Sequence, residues 1–93
     1  MSSTRKGRDI DAALRKKGFS REVSGDHIYY YFGSTRVKTK MSHGMMGSSL
    51  SVELIGDMAR QLRLTKKQFL ALIDCPLNET GYRAILEELG VVA

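Results

Sequence analysis

A chain of 93 residues has room for one domain, and it buries roughly two-thirds of its unfolded surface without metal or disulfide staples. Fifteen Lys and Arg against ten Asp and Glu leave a net charge of +5, and the excess lies in one half. Residues 1–49 carry ten basic against four acidic side chains, a net of +6, whereas residues 50–93 carry five against six, a net of −1. A field of one sign on one region points to a polyanionic partner, nucleic acid ahead of an acidic protein, although small basic domains with neither are common. The lone Cys75 excludes an intramolecular disulfide. With His27 and His43 it does not supply the closely spaced ligands of a zinc site, so no metal or other cofactor is expected. The polar start lacks the apolar segment of a signal peptide, and no apolar run reaches the length of a membrane span. A soluble, cytoplasmic protein in a reducing setting is the simplest expectation.

From about Arg8, Ile10, Ala13 and Leu14 recur at helical spacing. Asp9 and Asp11 stand in the first turn and Arg15, Lys16 and Lys17 in the last, each opposing the helix dipole in the favourable sense, and Gly18 supplies the stop. The period then changes. Phe19 to Val23 reads as a strand, Ser24-Gly25-Asp26 as a turn, and His27 to Phe32 as a strongly β-prone second strand. Gly33-Ser34 has the form of a two-residue hairpin loop with glycine at its first central position, and Thr35 to Met41 alternates as a third strand.

Ser42 to Ser49 is a loop rich in Gly, Ser and Met. A second helix follows, with Leu50, Leu54, Ile55, Met58 and Leu62 on one face. Leu64-Thr65-Lys66-Lys67-Gln68-Phe69 combines a capping box, Thr65 with Gln68, and a hydrophobic staple, Leu64 with Phe69, which opens a third helix running to about Asp74. Pro76 ends it. Asn78 caps a fourth helix with Tyr82, Ile85, Leu86 and Leu89 as its stripe before Gly90. The fold class is therefore α+β: an α-β-β-β-α core over residues 1–64, with a three-stranded antiparallel sheet covered by helices on one face. Residues 65–93 add two helices packed on the same domain. These either cover the core with Phe69, Leu70, Ile73, Ile85 and Leu86 or present a surface for a second copy of the chain.

Alternation along the hairpin sorts its residues by face. Ile28, Tyr30 and Phe32 share one side of the second strand, and His27, Tyr29 and Tyr31 the other. On the third strand Val37, Thr39 and Met41 oppose Arg36, Lys38 and Lys40. If the apolar set packs on the helices, the other face is a lattice of imidazole, phenols and cations, in which cations hold phosphates and aromatic rings stack unpaired bases. An uncovered sheet face is polar by default, so a purely solvating reading carries about equal weight. An imidazole titrates near neutrality, so His27 has the chemistry to take a proton from a ribose 2′-hydroxyl or give one to a leaving oxygen. Ser48 and Ser49, just before the second helix, offer hydroxyls and N–H groups for a phosphate, or simply a cap. Met45 and Met46 are adaptable contacts for a partner or gap-fillers.

Taken together, Asp9 to Phe19, Ser24-Gly25-Asp26-His27-Ile28-Tyr29, the basic third strand and Ser42-His43-Gly44 before a Leu/Ile helix resemble the HicA toxins. The resemblance covers roughly residues 6–64. It implies a double-stranded-RNA-binding-like fold, messenger-RNA cleavage and an acidic HicB-like antitoxin partner that covers the RNA site. The family's catalytic histidine maps onto His27 through its Gly-x-His motif. Two departures stand out: Asp26 replaces a usual serine, and Gly47-Ser48-Ser49 replaces a usual Pro-Gly. A carboxylate beside an imidazole favours its protonated form, which makes Asp26, with the loop residue His43, a modulator of His27. The expected activity is a metal-independent endoribonuclease centred on His27, with Tyr29, Tyr31, Arg36, Lys38, Lys40, Ser48 and Ser49 binding RNA. The alternative is a non-catalytic RNA-binding module on the same fold.

Overall fold

The first helix, α1 (Gly7–Lys16), forms where Ile10, Ala13 and Leu14 recur, and all three are buried. The computed structural model describes residues 4–33, 35, 37–74 and 76–91. The chain leaves α1 through Gly18, whose φ of +93° is a left-handed conformation that favours glycine. It then enters β1 (Phe19–Ser24), β2 (His27–Phe32) and β3 (Lys38–Ser42), an antiparallel meander in the order β1-β2-β3. A short 3-10 turn over His43–Gly47 leads to α2 (Val52–Gln61), α3 (Lys66–Asp74) and α4 (Glu79–Glu88).

Two turns set the register of the sheet. Ser24 pairs with His27, so Gly25-Asp26 is a two-residue loop, and the positive φ at Gly25 without one at Asp26 has the II′ pattern. The second connection is longer than Gly33-Ser34 predicts. Tyr31 pairs with Lys38, and the Phe32 N–H donates to the Val37 carbonyl at 3.2 Å, which leaves four residues between the strands. The Thr35 hydroxyl explains the difference: it donates to the Phe32 carbonyl at 2.6 Å and accepts from the Val37 N–H at 3.1 Å, holding the wider loop. The third strand therefore begins at Lys38 rather than Thr35. Because the register moves by an even number of residues, each side chain keeps its expected face. Arg36 lies outside the described residues.

Ile28, Tyr30, Phe32, Val37, Thr39 and Met41 point into the helix layer and are buried. One cluster joins all of these but Thr39 to Ile10 and Leu14 of α1, Ile55, Met58 and Ala59 of α2, Phe69 and Leu72 of α3, and Tyr82 and Leu86 of α4. The last two helices thus complete the core instead of standing apart from it. Tyr82 stacks on Phe19 at 5.6 Å between ring centroids and meets Phe32 edge-on at 4.7 Å, and its hydroxyl donates to the Leu62 carbonyl. Such ring pairs add about 0.5–1.5 kcal/mol beyond the area they bury.

The caps of α3 and α4 follow the sequence. Thr65 and Gln68 exchange side-chain-to-backbone hydrogen bonds at 3.1 and 2.9 Å, and the Asn78 side chain accepts from the Gly81 N–H at 2.8 Å. Two charged groups depart from their expected solvated roles. Asp11 is buried, where its carboxylate accepts from the Tyr30 hydroxyl at 2.6 Å and faces Arg21 Nε at 2.9 Å. Lys17 is 6 % exposed, and its ammonium donates to the Leu72 carbonyl at 3.0 Å and the Leu77 carbonyl at 2.5 Å. The lysine expected to serve the end of its own helix instead closes the end of α3.

Candidate functional site

The outer face of the sheet is assembled row by row from the strand pairing. Ser20, Tyr31 and Lys38 lie side by side, then Glu22, Tyr29 and Lys40, then Ser24, His27 and Ser42. All nine are exposed or half-buried, because the helices cover only the opposite face. The three rings form a continuous strip: His27 and Tyr29 centroids are 6.3 Å apart, and Tyr29 and Tyr31 lie 6.5 Å apart with planes 27° from parallel. Lys38 and Lys40 flank that strip on β3, one of the two edge strands of the sheet. Five of the predicted residues, His27, Tyr29, Tyr31, Lys38 and Lys40, thus share one surface.

Asp26 and His43 sit at the same end. The His43 N–H donates to the Asp26 carbonyl at 2.7 Å, so the loop after β3 is fastened to the turn before β2, on either side of His27. Both side chains are exposed. The contact made by Asp26 is through its backbone.

Ser48 and Ser49 do not join this group at a helix end. The helix begins later than the sequence suggests, and Ser51 is its cap, accepting from the Leu54 N–H at 3.2 Å. Ser49 instead bridges to Lys6, the Gly7 N–H donates to the Ser48 carbonyl at 2.9 Å, and the Ser48 N–H returns to Met45. The Ser48 backbone ties the loop to the start of α1 and its own N–H is taken by Met45, so the two serines lie three or more residues ahead of the first helical residue, Val52.

One feature of the site escaped the sequence reading. Between the β3 edge and α2 runs a cleft of ≈310 Å³, with His27, Lys40 and Ser42 on one wall and Leu54, Asp57 and Gln61 on the other. Met41, Leu50 and Met58 form its buried floor, and half-buried Met45 closes one side. A second depression of ≈340 Å³, lined by Tyr29, Lys38, Thr39, Lys40 and Gln61, shares Lys40 and Gln61 with the first. The signal was present: Leu54, Asp57 and Gln61 recur at helical spacing on a stripe offset from the core-facing Ile55, Ala59 and Leu62. The 39 % exposure of Leu54 marks that second stripe. The Thr39 hydroxyl donates to Gln61 Oε1 at 2.6 Å, which fixes the amide with its NH₂ group free to donate.

Among the described residues no group of three or more His, Cys, Asp or Glu side chains is arranged to hold a metal ion. Also among them, no helix is long and apolar enough to cross a membrane. The fold and site define an α+β protein with an open three-stranded antiparallel sheet, a cationic and aromatic outer face, and a cleft at one edge. Comparison with protein-family models, with curated proteins and with solved structures finds no match for this chain.

Proposed function

We propose that this protein is a cytoplasmic, RNA-cleaving toxin of the HicA type, acting on single-stranded message through the outer face of its sheet. The observation that carries the proposal is the juxtaposition of His27, Tyr29 and Lys40. A proton-transfer group, a stacking surface and a phosphate-binding cation lie together beside a cleft. The α+β architecture, a helix and a three-stranded antiparallel meander followed by helices, is compatible with a double-stranded-RNA-binding-like domain and supports the same reading.

In the proposed reaction RNA brings its own nucleophile. His27 accepts the proton of a ribose 2′-hydroxyl, the 2′-oxygen bonds to the adjacent phosphorus, and the bond from phosphorus to the 5′-oxygen breaks. The products are a 2′,3′-cyclic phosphate and a 5′-hydroxyl, with the departing oxygen taking up a proton. Lys38 and Lys40 hold the phosphate and offset the charge that grows on its oxygens. Tyr29 and Tyr31 stack flanking bases, which exposes the scissile linkage. An acidic antitoxin of the HicB kind, seated on the same cationic face, is the protein partner this reading entails.

The test is cleavage of a labelled RNA by the purified protein in EDTA. General acid–base catalysis contributes roughly a hundred- to ten-thousand-fold, so His27→Ala should slow cleavage by that factor while leaving binding nearly unchanged. Equal cleavage by the variant and the wild type refutes the mechanism. Salt-sensitive binding with no cleavage by either protein identifies a non-catalytic RNA-binding module instead.

A further inference from the structure

Helix α2 has two apolar stripes with different neighbours. Ile55, Ala59 and Leu62 enter the common core, whereas Leu54 remains 39 % exposed and lines the cleft with Asp57 and Gln61. A half-exposed leucine flanked by two hydrogen-bonding side chains is not explained by packing. The lining is instead divided as a small-molecule site is divided: a mostly apolar bed with a few convergent polar groups.

We infer that this cleft is a subsite for a single unpaired guanine base, read by Asp57 and Gln61. The inference rests on the RNA reading above and specifies which nucleotide is bound beside His27. The floor of Met41, Leu50 and Met58, with Leu54 and Met45 at the sides, offers polarizable, apolar contact to the faces of a base. Lys40 and His27 stand on the opposite wall, so a base in the cleft keeps its phosphate at the cationic edge and its ribose near the imidazole.

The polar groups select among bases. Asp57 is accept-only when ionised, and Gln61, with its oxygen engaged by Thr39, is left as a donor. Guanine presents the complement on one edge, two adjacent donors (N1–H and the N2 amino group) beside the O6 acceptor. Adenine offers a bare ring nitrogen where guanine has N1–H. Uracil has one N–H between two carbonyls, and cytosine has two acceptors beside a single amino group. Only guanine sets two adjacent donors beside an acceptor, so only guanine engages both carboxylate oxygens and the amide donor at once. Arg60 donates to Asp57 Oδ1 at 2.8 Å on the exposed side of α2, which steadies the carboxylate while Oδ1 keeps a second lone pair and Oδ2 stays open for the base.

The experiment is equilibrium binding of short 2′-O-methyl oligonucleotides, which lack the attacking hydroxyl. Each carries one G, A, C, U or inosine in a uridine background. A well-placed bidentate contact discriminates between bases by roughly tenfold or more, so the G ligand should bind about tenfold tighter than A, C or U. Inosine, which lacks only the N2 amino group, should fall between. Asp57→Asn should bring G to near parity with the other bases, and Leu54→Asp should weaken all of them. Both side chains are substantially exposed, and unchanged melting of each variant verifies that it folds. Equal affinity for all the ligands, or a G preference that survives Asp57→Asn, overturns the inference and leaves the RNA reading standing. No binding of any oligonucleotide overturns both.

Discussion

Placing a methyl group on Gly7 should damage a site whose residues lie far away in sequence. An alanine Cβ at position 7 would stand 2.1 Å from the Met45 carbonyl oxygen and 2.7 Å from its carbon, both backbone atoms that no rotamer change can move aside. Restoring ordinary contact, at 3.4 Å or more, requires the 3-10 turn to retreat by about 1.3 Å. That retreat pulls on the Gly7-to-Ser48 hydrogen bond, the Lys6–Ser49 bridge and the loop that carries His43 and Met45. Overpacking of this kind costs about 1–3 kcal/mol, offset in part by the better helix propensity of alanine. For a domain this size the net loss should lower Tm by roughly 4–15 °C. The proposed cleavage should fall as well, because Met45 forms one side of the cleft. Gly47→Ala is the matched control: nothing lies within 4 Å of its added carbon, and its φ is not left-handed, so it should melt at or slightly above wild type. Thermal melts by circular dichroism measure both. A Gly7→Ala protein that melts with wild type, or a Gly47→Ala protein that loses as much, refutes the packing argument.

Burial raises the phenol pKa of both Tyr30 and Tyr82 above the ordinary value of 10.0, and for Tyr30 the hydrogen bond to Asp11 adds to the rise. The unfolded chain therefore gives up these protons first, so stability is whole below about pH 10 and falls as the pH climbs above it. Urea midpoints compared at about pH 9 and about pH 11 should show the drop, and Tyr82→Phe should flatten it. Lys17→Ala removes a buried ammonium from the Leu72 and Leu77 carbonyls and should cost about 1–3 kcal/mol in the same assay. A loss no larger than that of Lys16→Ala, an exposed neighbour, would show that the contact contributes nothing.

Local chemistry made much of the fold legible. Alternation sorted the hairpin residues onto the correct faces, the Thr65–Gln68 pair marked the start of α3, and Asn78 marked that of α4. These signals span a few residues and need no knowledge of the rest of the chain. Apart from the hairpin loop held open by Thr35, the misreadings had distant causes. Ser48 and Ser49 lost their place at a helix end because Gly7 and Arg5 pair with Ser48 and Leu50 in an extended bridge, and the helix starts only after Ser51. Asp11 and Lys17 look like ordinary helix-end charges until Tyr30, Arg21 and the end of α3 come to surround them. The second stripe of α2 was hidden for a related reason. Leu54 fits a core pattern in one dimension, and only the placement of β3 shows that it faces a cleft.

The Phe19–Phe32–Tyr82 ring cluster has a consequence for folding. Phe19 and Phe32 belong to the sheet that carries His27, yet the third ring arrives with the last helix, and Lys17 waits for the carbonyl of Leu77. Without α4 the chain has its sheet and three helices, but Phe19 and Phe32 lack the ring that packs on both. Domains usually fold as units, so the sheet and α4 are expected to become ordered together. The surface that carries His27 is therefore firm only once α4 has docked beneath the sheet, although α4 contributes none of that surface's residues.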